Sequence, residues 1–136
     1  MTKNPIADPK APATGVLTIT QDPALGKQLQ DLLDSIPLQM VLKESAHSAV
    51  QHLKVEPQPQ LIILDWSLPE NIASRFLQEI RVSKRFAQMP ILVIVAEPDP
   101  YAIKEALQAG ANRYLTQSFI QTGFVRTLKE MQVRTS

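Results

Sequence analysis

The sequence predicts an α/β fold, a five-stranded parallel sheet in the order 2-1-3-4-5 with helices on both faces. Three observations carry that expectation. From Val16 onward, short apolar runs alternate five times with stretches of helical periodicity. Two of the runs, Leu61 to Leu64 and Ile91 to Val95, are apolar throughout, as suits central parallel strands covered on both faces. Two others suit the edges, because Leu38 to Lys43 alternates and Tyr114 to Thr116 is short. Parallel strands need crossover connections, and right-handed crossovers place helices on both faces of the sheet.

The elements follow in order. Val16 to Thr20 reads as the first strand. Asp22 and Pro23 come next, an N-cap and a first-turn proline. Leu25, Leu29, Leu32, Leu33 and Ile36 then fall on one helical face, and Pro37 stops the helix. Leu38, Met40 and Leu42 share one face of a half-exposed strand. Ala46, Ala49, Val50 and Leu53 form the second helical stripe, closed by Pro57 and Pro59. The third strand ends at Asp65. Ala73, Phe76, Leu77 and Ile80 mark the third helix, and Arg81, Lys84 and Arg85 near its C-terminal end complement the helix dipole. Pro90 introduces the fourth strand. Ile103, Ala106 and Leu107 mark a fourth helix ended at Gly110, and Ile120, Phe124, Leu128 and Met131 a fifth.

Composition narrows the function. A length of 136 residues suits one domain, and 44% apolar residues suffice for its core. Met1 to Gly15 reads as a disordered tail and residues 16–133 as the folded domain. The tail has no apolar segment of signal-peptide type, and no run approaches the roughly 20 apolar residues of a membrane helix. A cytoplasmic location is the expectation. Lys+Arg 14 against Asp+Glu 13 leaves a net charge of +1, no footprint for nucleic acid or an anionic membrane. The absence of cysteine excludes thiol catalysis, disulfides and thiolate metal sites. The glycines, Gly15, Gly26, Gly110 and Gly123, form no nucleotide-binding pattern. His47 and His52 fall on the second helix, away from the strand ends.

In a sheet of this order, sites lie beyond the carboxyl ends of the strands, at the switch point between strands one and three. The residues there are Thr20, Gln21, Asp22, Asp65, Val95, Ala96, Glu97, Thr116 and Gln117. Three stretches among them carry a resemblance. Leu61 to Pro69 ends a strand on Asp65 and follows it with a Leu68-Pro69 turn. Pro90 to Ala96 and Gly110 to Phe119 supply the fourth and fifth strands with their flanks. Together, and in this order, they resemble the response-regulator receiver of two-component signalling and phosphorelays. The match covers Val16 to about Met131 and implies a flavodoxin-like fold of receiver type.

The resemblance also implies a site. Receivers accept a phosphoryl group on the strand-three aspartate. A divalent metal, usually Mg2+, is held there by that aspartate and by an acidic pair after strand one. A hydroxyl ending strand four and a lysine ending strand five contact the phosphoryl oxygens. Here Asp65 matches the acceptor and Tyr114 the switch aromatic of strand five. Thr20 and Gln21 fall at the acidic pair, Val95 at the hydroxyl, Gln117 at the lysine and Ser118 at the proline that normally follows it. Sliding the register by one would pair Gln21 with Asp22, but Asp22 before Pro23 is better explained as a cap.

The framework is thus matched and the chemistry depleted. The expected function is that of a pseudo-receiver, a signal-transduction module without enzymatic activity that acts by protein–protein interaction independently of phosphorylation. The alternative is a receiver still phosphorylated at Asp65 by a histidine kinase or phosphodonor, and Mg2+ is expected as a cofactor only in that case. The expected partner is a protein: a histidine kinase, another regulator or a second copy. By analogy with receivers, its surface is the fourth helix, fifth strand and fifth helix, with Tyr101, Lys104, Gln108, Arg113, Arg126 and Lys129 as the candidates. Trp66 reads either as a partner-binding aromatic or as packing against the adjacent helix. A flavin site is disfavoured because the loop after strand one has no glycine. A cobalamin site fails because Ser67 stands where its histidine would be.

Overall fold

A computed structural model of the chain describes residues 15–36 and 38–133. The elements are β1 (Gly15–Ile19), α1 (Pro23–Asp34), β2 (Gln39–Lys43), α2 (Ala46–Val55), β3 (Leu61–Asp65), α3 (Ile72–Val82), β4 (Ile91–Val95), α4 (Pro100–Ala109), β5 (Arg113–Thr116) and α5 (Ile120–Glu130). Single 3-10 turns occupy Lys84–Phe86 and Gln117–Phe119. All pairings are parallel and the sheet order is β2-β1-β3-β4-β5, as the apolar runs predict. Gly15, counted above with the tail, instead opens β1 opposite Gln39. The rest of the expected tail and the helix stop at Pro37 lie outside the described residues.

Alternation within each strand builds two cores. Leu17, Ile19, Ile62, Leu64 and Val93 face α2 and α3, where Leu53, Phe76 and Leu77 are fully buried. Val16, Leu61, Ile63, Leu92 and Ile94 face the other way, onto Leu25, Leu29 and Leu33 of α1 and Ile120, Phe124 and Leu128 of α5. β3 and β4 are buried along their whole length because both faces are covered. β2 is half-exposed at the edge.

Helix starts follow the sequence closely. Asp22 Oδ1 accepts from the Ala24 N–H ahead of α1, and Asp99 Oδ1 does the same for Tyr101 ahead of α4. Both helices carry proline in the first turn. Two expectations need correction. Leu107 is 44% exposed, because the inward stripe of α4 consists of Ala102, Ile103, Ala106 and Ala109. Arg81 does more than offset a dipole. Its Nε donates to the Gly110 carbonyl at 3.0 Å, Nη1 to the carbonyls of Phe86 at 2.9 Å and Ala87 at 3.2 Å, and Nη2 to Asn112 Oδ1 at 2.9 Å. The same Asn112 oxygen accepts from the Ile91 N–H at 2.8 Å. Burial lowers the guanidinium's pKa from its ordinary value, yet the group stays charged. One side chain thus ties the end of α3 to the start of β4 and the α4–β5 turn. Gly110 sits in that turn at φ 123°, and a Cβ there would meet Arg81 Cγ at 2.7 Å.

Candidate functional site

The switch point is set by strand register. Ile19 lies opposite Leu64, so the next residues, Thr20 and Asp65, meet at the carboxyl ends of β1 and β3. Asp65 is buried, 6% exposed. Thr20 Oγ1 donates to Asp65 Oδ2 at 2.6 Å. That length is typical of a hydroxyl bonded to a carboxylate. The Thr20 oxygen in turn accepts from the Asp22 N–H at 3.0 Å. The other carboxylate oxygen, Asp65 Oδ1, accepts from the Ser67 N–H at 2.9 Å. Both oxygens of Asp65 are therefore engaged, one by a hydroxyl just past β1 and one by the backbone of its own turn.

Asp65, Asp22, Gln21, Gln117 and Ser67 line one open cleft of about 240 Å³. Gln21 is turned partly away from Asp65, its Nε2 donating to the Glu44 carbonyl at 3.1 Å. Gln117 is half-buried. Val95 is buried and lines a neighbouring cleft with Trp66, Glu97 and Asp99, the two clefts sharing Ser67. The register explains this, since Asp65 pairs with Ile94 and Val95 falls one step beyond. Ser118 is exposed. Tyr114, 39% exposed, lies on a third cleft with Phe119 and Arg126. Of the four positions the sequence reading sets around Asp65, Thr20 bonds it, Gln21 and Gln117 line its cleft, and Val95 lines the neighbouring one. The reading does not foresee that Thr20 bonds Asp65 directly, because hydroxyl direction has no periodic signature.

All six residues named for the interaction face are exposed, and Phe119 at 60% and Leu107 join them there. Trp66 serves structure at least in part: it packs on the core beside α3 and α4, and its Nε1 donates to Glu105 Oε1 at 3.3 Å.

The bonds of Asp65 make a stability prediction. Thr20→Val should cost about 2 kcal/mol, because Oδ2 and the Asp22 N–H both lose their partner. Asp65→Asn should cost under about 1 kcal/mol, since its amide can accept from Ser67 and donate to Thr20. Urea unfolding of both variants measures the difference. Equal losses would show that the fold needs the charge of Asp65 and not its shape.

Comparison with known proteins agrees with this geometry. A family model described as the response regulator receiver domain matches residues 16–129. The phosphate regulon transcriptional regulatory protein PhoB of Escherichia coli is 27% identical over 124 residues, 91% of this chain and 54% of its own length. This chain thus spans about half the length of that relative. Chemotaxis protein CheY1 of Helicobacter pylori is 25% identical over 105 residues, 76% of this chain and 85% of its own length. Among solved structures, a candidate response regulator from Chloroflexus aurantiacus superposes with a TM-score of 0.83 at 24% identity, covering 90% of this chain and all of its own. The sheet order, the aspartate closing β3 and the family match over nearly the whole domain lead to one conclusion: the chain belongs to the response regulator receiver domain family of two-component signalling.

Proposed function

We propose that this receiver is a pseudo-receiver, a binding module that signals through protein contacts without phosphorylation and without catalysis. The observation that carries the reading is the bond between Thr20 Oγ1 and Asp65 Oδ2. In the family, an acidic residue stands at the Thr20 position, and two facing carboxylates need a cation between them. A hydroxyl there satisfies Asp65 with no cation at all. The donor set is also a poor fit for Mg2+, which takes carboxylate, phosphate and water oxygens in octahedral array. Asp65 has both oxygens engaged, and Asp22 spends one of its own on capping α1. Among the described residues no group of three acidic or histidine side chains comes together. Gln117 supplies no positive charge and Val95 no hydroxyl, so the positioning and neutralisation on which phosphoryl transfer depends are missing.

Incubation with acetyl phosphate and Mg2+, read on a phosphate-affinity gel, tests the reading. No shifted band is expected. Mg2+ should also leave the fluorescence of Trp66, which adjoins Asp65, unchanged through the low millimolar range. A shifted band or a saturating fluorescence change would establish the second reading, a receiver phosphorylated at Asp65 by a histidine kinase or phosphodonor. That reading draws on one observation, the open cleft in which Asp22 stands near Asp65.

The proposed partner is a protein: a histidine kinase, another regulator or a second copy. Its proposed surface is α4, β5 and α5, where Tyr101, Lys104, Gln108, Arg113, Arg126 and Lys129 are exposed. Reversing charge at Lys104 and Arg126 together should weaken capture of an isolated partner by about tenfold, chiefly through electrostatic complementarity. Unchanged binding would move the interface off this face. The proposed location is cytoplasmic; among the described residues no helix is long and apolar enough to cross a membrane.

A further inference from the structure

A further cleft, of about 250 Å³, opens between α4 and the β3–α3 turn and shares Tyr101 with that basic face. Leu68 gives it an apolar base, Trp66 and Tyr101 give it two aromatic rings, and Asp99, Glu105 and Asn71 give it acceptors. No lysine or arginine lines it. Each carboxylate is held by one oxygen only. Asp99 Oδ1 caps α4, and Glu105 Oε1 accepts from the Trp66 indole. Their second oxygens have no hydrogen bond among the described residues. Asn71 stands at the N-cap of α3 yet makes no side-chain cap bond, which leaves its amide oxygen uncommitted as well. Tyr101, 86% exposed, stands at the open side of the cleft.

Such a cleft offers acceptors and aromatic faces and asks for donors and positive charge. We infer that it receives an arginine side chain presented by a partner protein. A guanidinium carries five N–H donors and no acceptor, pairs with carboxylates in a fixed plane and stacks on aromatic rings. Lysine offers the charge without the plane and fits less well. Glu97, lining the adjoining cleft that shares Trp66 and Asp99, adds to the negative field at the mouth. The inference rests on the reading of the domain as a protein-binding module, and it names the chemistry of one contact.

The test uses the full chain and three capped tripeptides with a central arginine, lysine or citrulline, followed by amide and indole NMR. The arginine peptide should move the Trp66 indole resonance and the amides of Tyr101 and Glu105, the lysine peptide should do so more weakly, and the neutral citrulline peptide should not. Asp99→Asn with Glu105→Gln keeps both structural bonds and should weaken arginine binding severalfold, since it removes two exposed ion pairs at once. Equal shifts from arginine and citrulline, shifts centred elsewhere, or no shift with arginine would overturn the assignment. Failure here with Asp65 still unlabelled by acetyl phosphate removes the arginine contact alone. Labelling of Asp65 alongside arginine binding removes the pseudo-receiver reading alone.

Discussion

Replacing Thr20 and Gln21 with aspartate, Val95 with threonine and Gln117 with lysine is expected to give a protein that acetyl phosphate labels at Asp65, where the parent is expected to stay unlabelled. The strand ends already hold three of these positions at Asp65, because Thr20 contacts it and Gln21 and Gln117 line the same cleft, while Val95 lies one step along β4 from Ile94, the partner of Asp65. The substitutions restore metal ligands from β1, a hydroxyl from β4 and a positive charge from β5. Before metal is added the variant should be less stable than the parent. Thr20→Asp deletes the 2.6 Å bond and sets a second carboxylate beside a buried one. Gln21→Asp also gives up the bond to the Glu44 carbonyl. Mg2+ at about a hundred times its dissociation constant should then add about 2.7 kcal/mol, or about 10 °C in melting temperature. Single substitutions should label weakly or not at all, because groups acting on one transition state are not additive. Ser118→Pro joins the set if the lysine-bearing turn needs its shape. A folded variant whose melting temperature ignores Mg2+ would show that these residues are not the metal positions of this chain.

The second large effect is expected far from that cleft. Arg81→Ala should lower stability by about 3 kcal/mol and melting temperature by about 10 °C, since three carbonyls and an amide oxygen lose a charged donor at once. Arg81→Lys should recover only a fraction, because one ammonium cannot span acceptors arranged for a planar fork. Hydrogen exchange should rise most in the last turn of α4 and at Asn112, whose side chain also holds the Ile91 N–H. A melting temperature within about 2 °C of the parent would mean that water replaces these bonds without loss.

The contrast between these two regions explains what the sequence reveals. Apolar spacing is periodic, so Leu61 to Leu64 and Ile91 to Val95 declare central strands, and the sheet order follows. Caps are local, so Asp22 before Pro23 can be read directly, and Asp99 before Pro100 could have been read by the same rule. The Asp65 cleft is legible because strand ends bring their residues together by register. The bonds of Thr20 and Arg81 are not legible. The Thr20 bond joins side chains 45 residues apart, those of Arg81 reach partners 5 to 31 residues away, and all depend on side-chain torsions that leave no pattern. Leu107 misleads for a related reason: on a helix whose inward stripe is mostly alanine, a leucine one position off the stripe imitates a core residue.

The strand order also has a consequence for how the chain is made. β1 is the first of the five strands to leave the ribosome, and it becomes an interior strand, held by β2 on one side and β3 on the other. β4 and then β5 add in turn along a single growing edge. The widest gap any pairing must bridge is the 45 residues between β1 and β3, and later strands dock on neighbours already in place. Assembly can therefore keep pace with translation, the N-terminal part ordering first. The Thr20–Asp65 contact needs only β1 and β3, so the bond that satisfies the central carboxylate is available to a sheet of three strands before β4 has docked.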